Sequence, residues 1–185
     1  MMDRSEVLKT IAEFRTDEVV IATMSVLGEW PRLSPSPLNL QVAGAMGYAS
    51  SVGIGVALAQ PGRRVIILDG DGSLLMNLGA LVSLCHISPP NFTHFILENG
   101  IYELPGRIPL PGFEKYNIAE LARASGLTKV YEFDDLQNFR EHVGTLLHEE
   151  GPIFVNLKVA PGPKEPLTLT SSFQMARDME KALGS

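Results

Sequence analysis

Short apolar runs alternate with helix-like stretches along the chain, in the order that an α/β fold requires. The apolar runs are rich in Val, Ile and Leu, which is typical of parallel strands buried on both faces. They lie at residues 18–22, 38–42, 65–68, 92–97, 130–133 and 152–159. Most of the stretches between them predict helices, several of which begin at a capping residue such as Asp3 or Asn117, whereas residues 28–37 and 100–116 predict loops. We therefore expect a three-layer α/β fold, in which helices cover both faces of a doubly wound parallel sheet.

Three of the predicted helices carry specific expectations. The helix that follows Ser73 should bury one apolar face, formed by Leu74, Leu78, Leu81, Val82 and Cys85. The helix near residue 135 should take Asp134 as its N-cap and end near Glu150. A C-terminal helix should begin at Ser171 and be able to contact a partner. Its apolar side would be formed by Phe173, Ala176, Met179 and Leu183.

The composition is that of an ordinary soluble α/β protein. Of the 185 residues, 45% are hydrophobic and 19% are charged, and the length allows one domain with a sizeable core. We expect a single domain over residues 1–185, with a helical tail from about residue 164. The formal net charge of −6 argues against a nucleic-acid-binding surface. The apolar runs are too short to span a membrane.

The single cysteine, the N-terminal sequence and the four histidines limit the kinds of site and the location that we expect. A single cysteine, Cys85, rules out an internal disulfide and a four-cysteine iron–sulfur cluster. The N-terminus lacks the apolar core of a signal peptide, so we expect a cytoplasmic protein. The four histidines match no zinc motif and are interpreted as structural or surface residues: His86, His94, His142 and His148.

Polar side chains follow two of the predicted strands, at the points where these strands end. Asp71 lies in a Gly-Asp-Gly-Ser turn after the run at 65–68, and Asn99 follows the run at 92–97. The carboxyl ends of parallel strands meet at one edge of a sheet, where open α/β sheets bind ligands. We therefore expect the carboxylate of Asp71 and the amide of Asn99 to lie close together.

The Gly-Asp-Gly-Ser turn has several possible interpretations. It would serve as an ordinary strand-to-helix turn, with flexible glycines and a serine cap. A calcium loop is disfavoured because its sixth position is Leu74 and its twelfth is Ala80, where Gly and Glu are required. A Walker loop is excluded because the chain has no Gly-Lys-Ser/Thr. The interpretation that uses both polar groups is a magnesium ion that bridges a diphosphate to Asp71 and Asn99.

The spacing of these motifs resembles the fingerprint of thiamine-diphosphate-dependent enzymes. Asn99 follows Asp71 by twenty-eight positions, and a Gly-Ala-Met-Gly turn places Met46 twenty-five positions before Asp71. The resemblance covers roughly residues 18–160 and is to the diphosphate-binding, C-terminal domain of these enzymes. Within that family it resembles the sulfopyruvate decarboxylase beta subunit and phosphonopyruvate decarboxylase. The cofactors that it implies are thiamine diphosphate and Mg²⁺.

The resemblance also implies roles for individual residues. The metal ligands would be Asp71, Asn99 and the backbone carbonyl of Ile101, although Glu98 would compete for the cation. Met46 would lie between the two rings of the cofactor, and the Gly44 carbonyl would accept from the pyrimidine amino group. The remaining cofactor-binding residues would be Ala45, Gly70, Gly72, Ser73 and Tyr102, together with Thr23 and Ser25 after the first strand.

The same family implies that this chain holds half of an active site. The glutamate that activates the cofactor comes from a pyrimidine-binding domain, for which a chain of this length has no room, so no catalytic residue is assigned here. We expect a pyrimidine-binding partner subunit, a hetero-oligomer and a small 2-oxo acid as substrate. The loop at 100–116 departs from the family at Leu104–Arg107, where Arg107 would suit an anionic substrate group, and Glu103 lies nearby without an assigned role.

Two alternatives stay open on the sequence alone. The chain would also suit a non-catalytic or regulatory thiamine-diphosphate-binding subunit, because the loop at residues 104–107 is altered. A flavodoxin-like phosphate-binding module would share the alternating strands and helices without any connection to thiamine.

Overall fold

The computed structural model describes residues 1–162 and 171–184. Its strands are β1 Val19–Thr23, β2 Asn39–Val42, β3 Val65–Gly70, β4 Phe92–Glu98, β5 Ile101–Tyr102, β6 Ile108–Pro109, β7 Lys129–Phe133 and β8 Ile153–Lys158. Its helices are α1 Arg4–Phe14, α2 Trp30–Leu33, α3 Ala49–Ala59, α4 Asp71–Leu75, α5 Gly79–Ile87, α6 Ile118–Ala124, α7 Leu136–His148 and α8 Ser172–Leu183. The predicted start of the helical tail, near residue 164, lies outside the described residues.

Six of the strands form one parallel sheet in the order β2-β1-β3-β4-β8-β7. The predicted fold class is therefore confirmed. The chain places β2 on one side of β1 and β3 on the other, so the order reverses between β1 and β3. The crevice outside the carboxyl ends of two such strands is where open α/β sheets bind ligands. This topology locates the functional edge before any side chain is considered.

Each face of the sheet packs on its own layer of helices. Successive side chains of a strand point to opposite faces, so β3 directs Ile66 and Leu68 to one face and Val65 and Ile67 to the other. The first face is covered by α1, α2 and α7, and the second by α3, α4, α5, α6 and α8. The continuous apolar runs of the sequence thus follow from burial on both sides.

The prediction of one continuous helix after Ser73 was wrong, and so was part of the buried face predicted for it. α4 ends at Leu75 and α5 begins at Gly79, so the helical register shifts between them. The buried positions of α5 are Ala80, Leu81 and Leu84, whereas Val82 is 59% exposed. A shift of even one residue turns a side chain by about 100° around the helix axis, which moves Val82 off the core.

Two other helices also differ in detail from the prediction. Asp135, and not Asp134, caps α7, because its carboxylate accepts from the backbone N–H of Asn138. α8 packs against β2 of its own chain through Met175 and Met179, whereas Phe173 is 72% exposed. The predicted apolar side of the C-terminal helix was therefore rotated relative to the real one.

Candidate functional site

A cleft opens at the carboxyl edge of the sheet. Met24 contributes from the end of β1, Met46 from the turn before α3, Asp71 from the end of β3 and Asn99 from the end of β4. The other lining residues come from the α4 turn and from the hairpin β5–β6 and its surroundings: Gly70, Gly72, Ser73, Ile101, Tyr102, Glu103, Leu104 and Pro105. Most of the residues selected from the sequence therefore share one cavity.

Asp71 joins the ends of the two central strands. Its Oδ2 accepts from the backbone N–H groups of Asn99 at 3.0 Å and Gly100 at 2.7 Å, and its Oδ1 accepts from Gly72 N at 2.8 Å. Burial raises the pKa of the Asp71 carboxyl to about 6, although these three N–H groups lower it and the charge of Glu98 raises it further. A cation beside Asp71 would favour the ionised carboxylate.

Asn99 is oriented by contacts on both sides of its amide. Its Oδ1 accepts from the backbone N–H of Ile101 at 3.0 Å, and its Nδ2 donates to Oε1 of Glu103 at 2.8 Å. Only 8% of Asn99 is exposed. A buried carboxylate and a buried amide oxygen thus lie on adjacent strand ends, as the strand pattern predicted.

Gly72 is required by the close approach of α4 to the hairpin. A Cβ atom at this position would lie 2.7 Å from the ring of Tyr102 and 3.0 Å from Leu110. Gly100 has a φ of +75°, and a Cβ there would lie 2.5 Å from Phe113. Glycine at these two positions therefore allows the backbone beside Asp71 and Asn99 to pack closely against neighbouring side chains.

Ser73 connects the Gly-Ala-Met-Gly turn to the Gly-Asp-Gly-Ser turn. The backbone N–H of Gly47 donates to Oγ of Ser73 at 2.9 Å, and Nδ2 of Asn77 donates to the carbonyl of Gly47 at 2.9 Å. Met46 lines the cleft as a result. Gly44 and Ala45 precede it in the chain but are not among the lining residues, and Gly44 adopts a φ of +69°.

The segment after β1 enters the site through a residue that the sequence did not single out. The hydroxyl of Thr23 donates to the carbonyl of Val42 at 3.2 Å, so this group is used within the sheet. The side chain of Ser25 lies outside the described part of the structure. Met24 instead lines the cleft, with a φ of +51° that is uncommon for a residue other than glycine. Its position directly after a strand was the one available signal.

Glu98, the rival metal ligand, points away from the cleft. Its carboxylate accepts from Nδ2 of Asn156 and pairs with Nζ of Lys158 at 2.8 Å, both on β8. Burial lowers the pKa of Lys158, but hydrogen bonds and charges from Glu98 and Glu132 raise it more, so the net pKa is raised. Glu98 thus belongs to a polar cluster between β4, β7 and β8.

Arg107 and Glu103 are both engaged within the chain. Nη2 of Arg107 donates to the carbonyl of Gly162 at 2.6 Å, and Arg107 is not among the residues that line the cleft. Glu103 does line it, but its carboxylate forms an ion pair with Arg4 at 2.7 Å. Both side chains are thus held by contacts within the chain.

The chemistry of the cleft fits a magnesium-bound diphosphate. Magnesium is bound by one or two carboxylates, neutral oxygens, waters and ligand phosphates. Asp71, Asn99 and Ile101, which carry such oxygens, line one cavity. Within residues 1–162 and 171–184, no group of three or more His, Cys, Asp or Glu side chains is arranged to hold a metal. A cation here would therefore depend on oxygens supplied by the ligand.

Comparisons with known proteins agree with this geometry. The family model "Thiamine pyrophosphate enzyme, C-terminal TPP binding domain" matches residues 30–157. The chain is 36% identical to the sulfopyruvate decarboxylase subunit beta of Methanothermobacter thermautotrophicus, over 88% of this chain and 84% of that one. It is 32% identical to the phosphonopyruvate decarboxylase of Streptomyces viridochromogenes, over 86% of this chain and 40% of that one.

A solved structure shares the fold. The thiamine diphosphate-dependent 4-hydroxybenzoylformate decarboxylase of Rhodococcus jostii RHA1 superimposes with a TM-score of 0.70 at 21% identity, over 88% of this chain and 33% of that one. None of the helices in the described ranges has the length and apolar character that crossing a membrane needs. The predicted family and the thiamine diphosphate cofactor are confirmed, and the flavodoxin-like alternative loses its support. The chain belongs to the thiamine pyrophosphate enzymes, as a member of their C-terminal TPP-binding domain family.

Proposed function

We propose that the chain is the diphosphate-binding subunit of a two-subunit, magnesium-dependent 2-oxo acid decarboxylase that uses thiamine diphosphate. The observation that carries this proposal is the meeting of Asp71, Asn99 and Met46 in one cleft, in a chain whose relatives are named decarboxylases. The substrate class is a small 2-oxo acid similar to sulfopyruvate or phosphonopyruvate, after the names of those relatives. The proposed location is the cytoplasm.

Each residue of the cleft has a defined task in this proposal. Asp71, Oδ1 of Asn99 and the Ile101 carbonyl hold the magnesium ion, and the Gly70–Ser73 turn surrounds the diphosphate. Met46, which lines the cleft, would support the cofactor between its two rings. The bound cofactor supplies the chemistry, by accepting the electron pair that is released with carbon dioxide. This chain binds and orients the cofactor and keeps its anionic end out of water.

The proposed partner supplies the acid–base group that activates the cofactor. In this proposal Asp71 binds the metal, and the carboxylate of Glu103 forms an ion pair with Arg4. The lengths of the relatives support a divided enzyme, because the same region is most of a beta subunit in one and 40% of a longer chain in another. We infer that a pyrimidine-binding subunit completes the site.

An apolar surface beside the cleft supports the same inference. α3 contains no charged residue, and α5 none apart from His86. Large apolar side chains on and around these two helices are exposed: Tyr48, Leu58, Met76 and Val82. Exposed apolar patches on soluble proteins mark interaction sites. The surface adjoins the cleft through Met46 and Asn77, so one partner would cover both.

Native mass spectrometry of the complex, purified gently from its own host, tests the proposal. We expect a second subunit together with thiamine diphosphate and magnesium, and release of carbon dioxide from sulfopyruvate or phosphonopyruvate that EDTA abolishes. A homo-oligomer without the cofactor would contradict the proposal. A complex that binds the cofactor but turns over none of a panel of 2-oxo acids would instead favour the regulatory alternative.

Replacement of Asp71 tests the metal assignment. Asp71→Ala should weaken magnesium-dependent cofactor binding by more than about 100-fold, the upper end of what outer-shell substitutions cost. Asp17→Ala is a matched control, since Asp17 is an exposed carboxylate paired with Arg63. Binding of thiamine diphosphate, measured by calorimetry on the complex, should be unchanged in the control. Equal binding by Asp71→Ala and the wild type would disprove the assignment.

A further inference from the structure

A series of partly buried polar contacts connects Asn99 to the first helix. Nδ2 of Asn99 donates to Oε1 of Glu103 at 2.8 Å, and Nη1 of Arg4 donates to both oxygens of Glu103, at 2.9 and 2.7 Å. The backbone N–H of Gly162 also donates to Oε1, at 3.0 Å. Arg4 is only 4% exposed, and its Nε reaches Oε2 of Glu29 at 3.3 Å. Glu103 is thus held by segments 59 and 99 residues away in the chain.

Backbone hydrogen bonds tie the N-terminal segment, which leads to Arg4, to the segment after β8, which leads to Gly162. Met2 N donates to the carbonyl of Lys158 at 2.8 Å, and Ala160 N donates to the carbonyl of Met2 at 2.8 Å, so the N-terminal segment pairs with the chain after β8. At Gly162, a Cβ atom would overlap the guanidinium of Arg4. The backbone after β8 therefore passes directly against Arg4, and Gly162 N reaches Glu103 from there.

Glu103 and the backbone N–H of Ile101 together select one of the two orientations of the Asn99 amide. The oxygen and nitrogen of an asparagine side chain are assigned from their hydrogen-bond partners. An ionised carboxylate only accepts hydrogen bonds, and Oε1 of Glu103 faces donors from Arg4 and Gly162 as well. The Asn99 atom that faces it must therefore be the NH₂ group. Oδ1 is left on the other side, where one lone pair accepts from Ile101 N and the second is available.

We propose that Glu103 is a positioning residue for the cation site. By accepting from the NH₂ group of Asn99, it makes Oδ1 the atom that faces the magnesium ion, and Arg4 and Gly162 hold Glu103 in place for this task. The proposal rests on the proposed function, because it names a support for the same site. Partners that orient metal ligands commonly matter for affinity, and their loss costs about 10–100-fold in metal binding.

Two substitutions of Glu103 separate this role from that of its charge. Glu103→Gln keeps an oxygen at the Oε1 position, where three donors converge, so Asn99 should stay oriented and magnesium-dependent cofactor binding should remain close to the wild-type value. Glu103→Leu removes the acceptor and should weaken that binding by about 10–100-fold. The assay is calorimetry with thiamine diphosphate and Mg²⁺ on the complex with its partner. If Glu103 acted only through its charge on Arg4, Gln and Leu would impair binding equally.

Asn99→Asp is a second test, for which the proposal and the charge of the ligand alone predict opposite changes in binding. On charge alone, a carboxylate at position 99 is the better magnesium ligand and should strengthen binding. The proposal predicts weaker binding, because an aspartate offers no donor to Glu103 and brings two carboxylates into contact. This variant keeps the contact of Glu103 with Arg4, so it remains informative if Glu103→Leu does not fold. Binding as tight as that of the wild type, or tighter, would overturn the proposal.

A spectroscopic readout tests the contact without the cofactor. In the ¹⁵N-labelled full-length chain, the side-chain NH₂ signals of Asn99 are identified from their loss in Asn99→Asp. Their chemical shifts should move toward those of an amide without a protein hydrogen bond in Glu103→Leu, and should stay close to the wild-type values in Glu103→Gln. Glu120→Leu is the control, since Glu120 is an exposed carboxylate paired with Arg123. Unchanged signals in Glu103→Leu would disprove the positioning role. Absence of cofactor binding by the wild-type complex would disprove the proposed function, and the NH₂ signals would still decide the contact.

Discussion

The two helix layers that cover the sheet differ in what they present on their outer sides. α1 and α7 bury apolar side chains against the sheet and carry charges outside, where Glu13 and Arg140 form an ion pair between the two helices. α3 contains no charged residue and α5 none apart from His86, and the two helices expose the large apolar side chains of Leu58 and Val82. A helix that is apolar on every side is normally buried on every side. The α1–α7 layer carries charges on its water-facing side, whereas the α3–α5 layer leaves large apolar side chains exposed to water.

This difference has a functional meaning because of where the α3–α5 layer lies. The turn before α3 carries Met46 into the cleft, and Ser73 ties that turn to the start of α4. The uncovered apolar surface and the cofactor cleft are therefore continuous. A partner that covers the surface also approaches the cofactor, so assembly and completion of the active site would be one event.

The largest effect is expected in the core beneath the α1–α7 layer. Phe139 on α7 is fully buried, with ring centroids 6.1 Å from Phe95 and 5.5 Å from Phe133. Phe139→Ala should lower the free energy of unfolding by about 3–5 kcal/mol. The neighbouring Arg140→Ala, on the solvent side, should change it by less than about 1 kcal/mol. Urea denaturation of the isolated chain measures the unfolding free energy of both variants. Equal losses would contradict the conclusion that α7 buries one side and exposes the other to water.

The α3–α5 layer should respond in association rather than in folding. Val82→Asp should raise the dissociation constant of the partner complex more than about tenfold, because it places a charge at the centre of the proposed interface. A loss of about 1.4 kcal/mol in binding free energy corresponds to a tenfold change. The unfolding free energy of the isolated chain should change by less than about 0.5 kcal/mol. Lys9→Asp, on the exposed side of α1, is the control. Normal assembly by Val82→Asp would mean that the partner docks elsewhere.

The inner side of α3 should be sensitive to one added methyl group. A Cβ atom at Gly53 would lie 2.2 Å from Cδ1 of Ile67 and 2.9 Å from the ring of Phe92. Gly53→Ala should therefore lower the free energy of unfolding by about 1–3 kcal/mol through overpacking. Thermal and urea denaturation measure the loss. A neutral result would mean that α3 can move away from the sheet.

The smallest effect is expected two residues further along the same helix. No atom lies within 4 Å of a Cβ built at Gly55, which faces outward. Gly55→Ala should raise the free energy of unfolding by up to about 1 kcal/mol, because alanine favours the helix over glycine. The same denaturation experiments measure it. A loss of stability as large as that of Gly53→Ala would show that the outer side of α3 is packed within the isolated chain.

Patterns that are local in the chain led to correct predictions. The apolar runs became the six strands of the parallel sheet, and the cap at Asp3 begins α1 as predicted, with its side chain accepting from Glu6 N. Asp71 and Asn99 were selected because each directly follows a strand, and parallel strands end at the same edge. The helix that breaks after α4 was not predictable in the same way, since its register depends on how Ala80, Leu81 and Leu84 pack against the sheet.

The sequence by itself determined the fold class, the family and the pair of oxygen-bearing side chains at the functional edge, because these depend on periodicity and on short motifs. Only the tertiary structure decided which way neighbouring side chains point. Glu98 and Asn99 are adjacent, yet one turns to β8 and the other to the cleft, since successive side chains at a strand end face opposite ways. It also decided that Arg4 reaches Glu103 across 99 positions, a contact that no local pattern encodes.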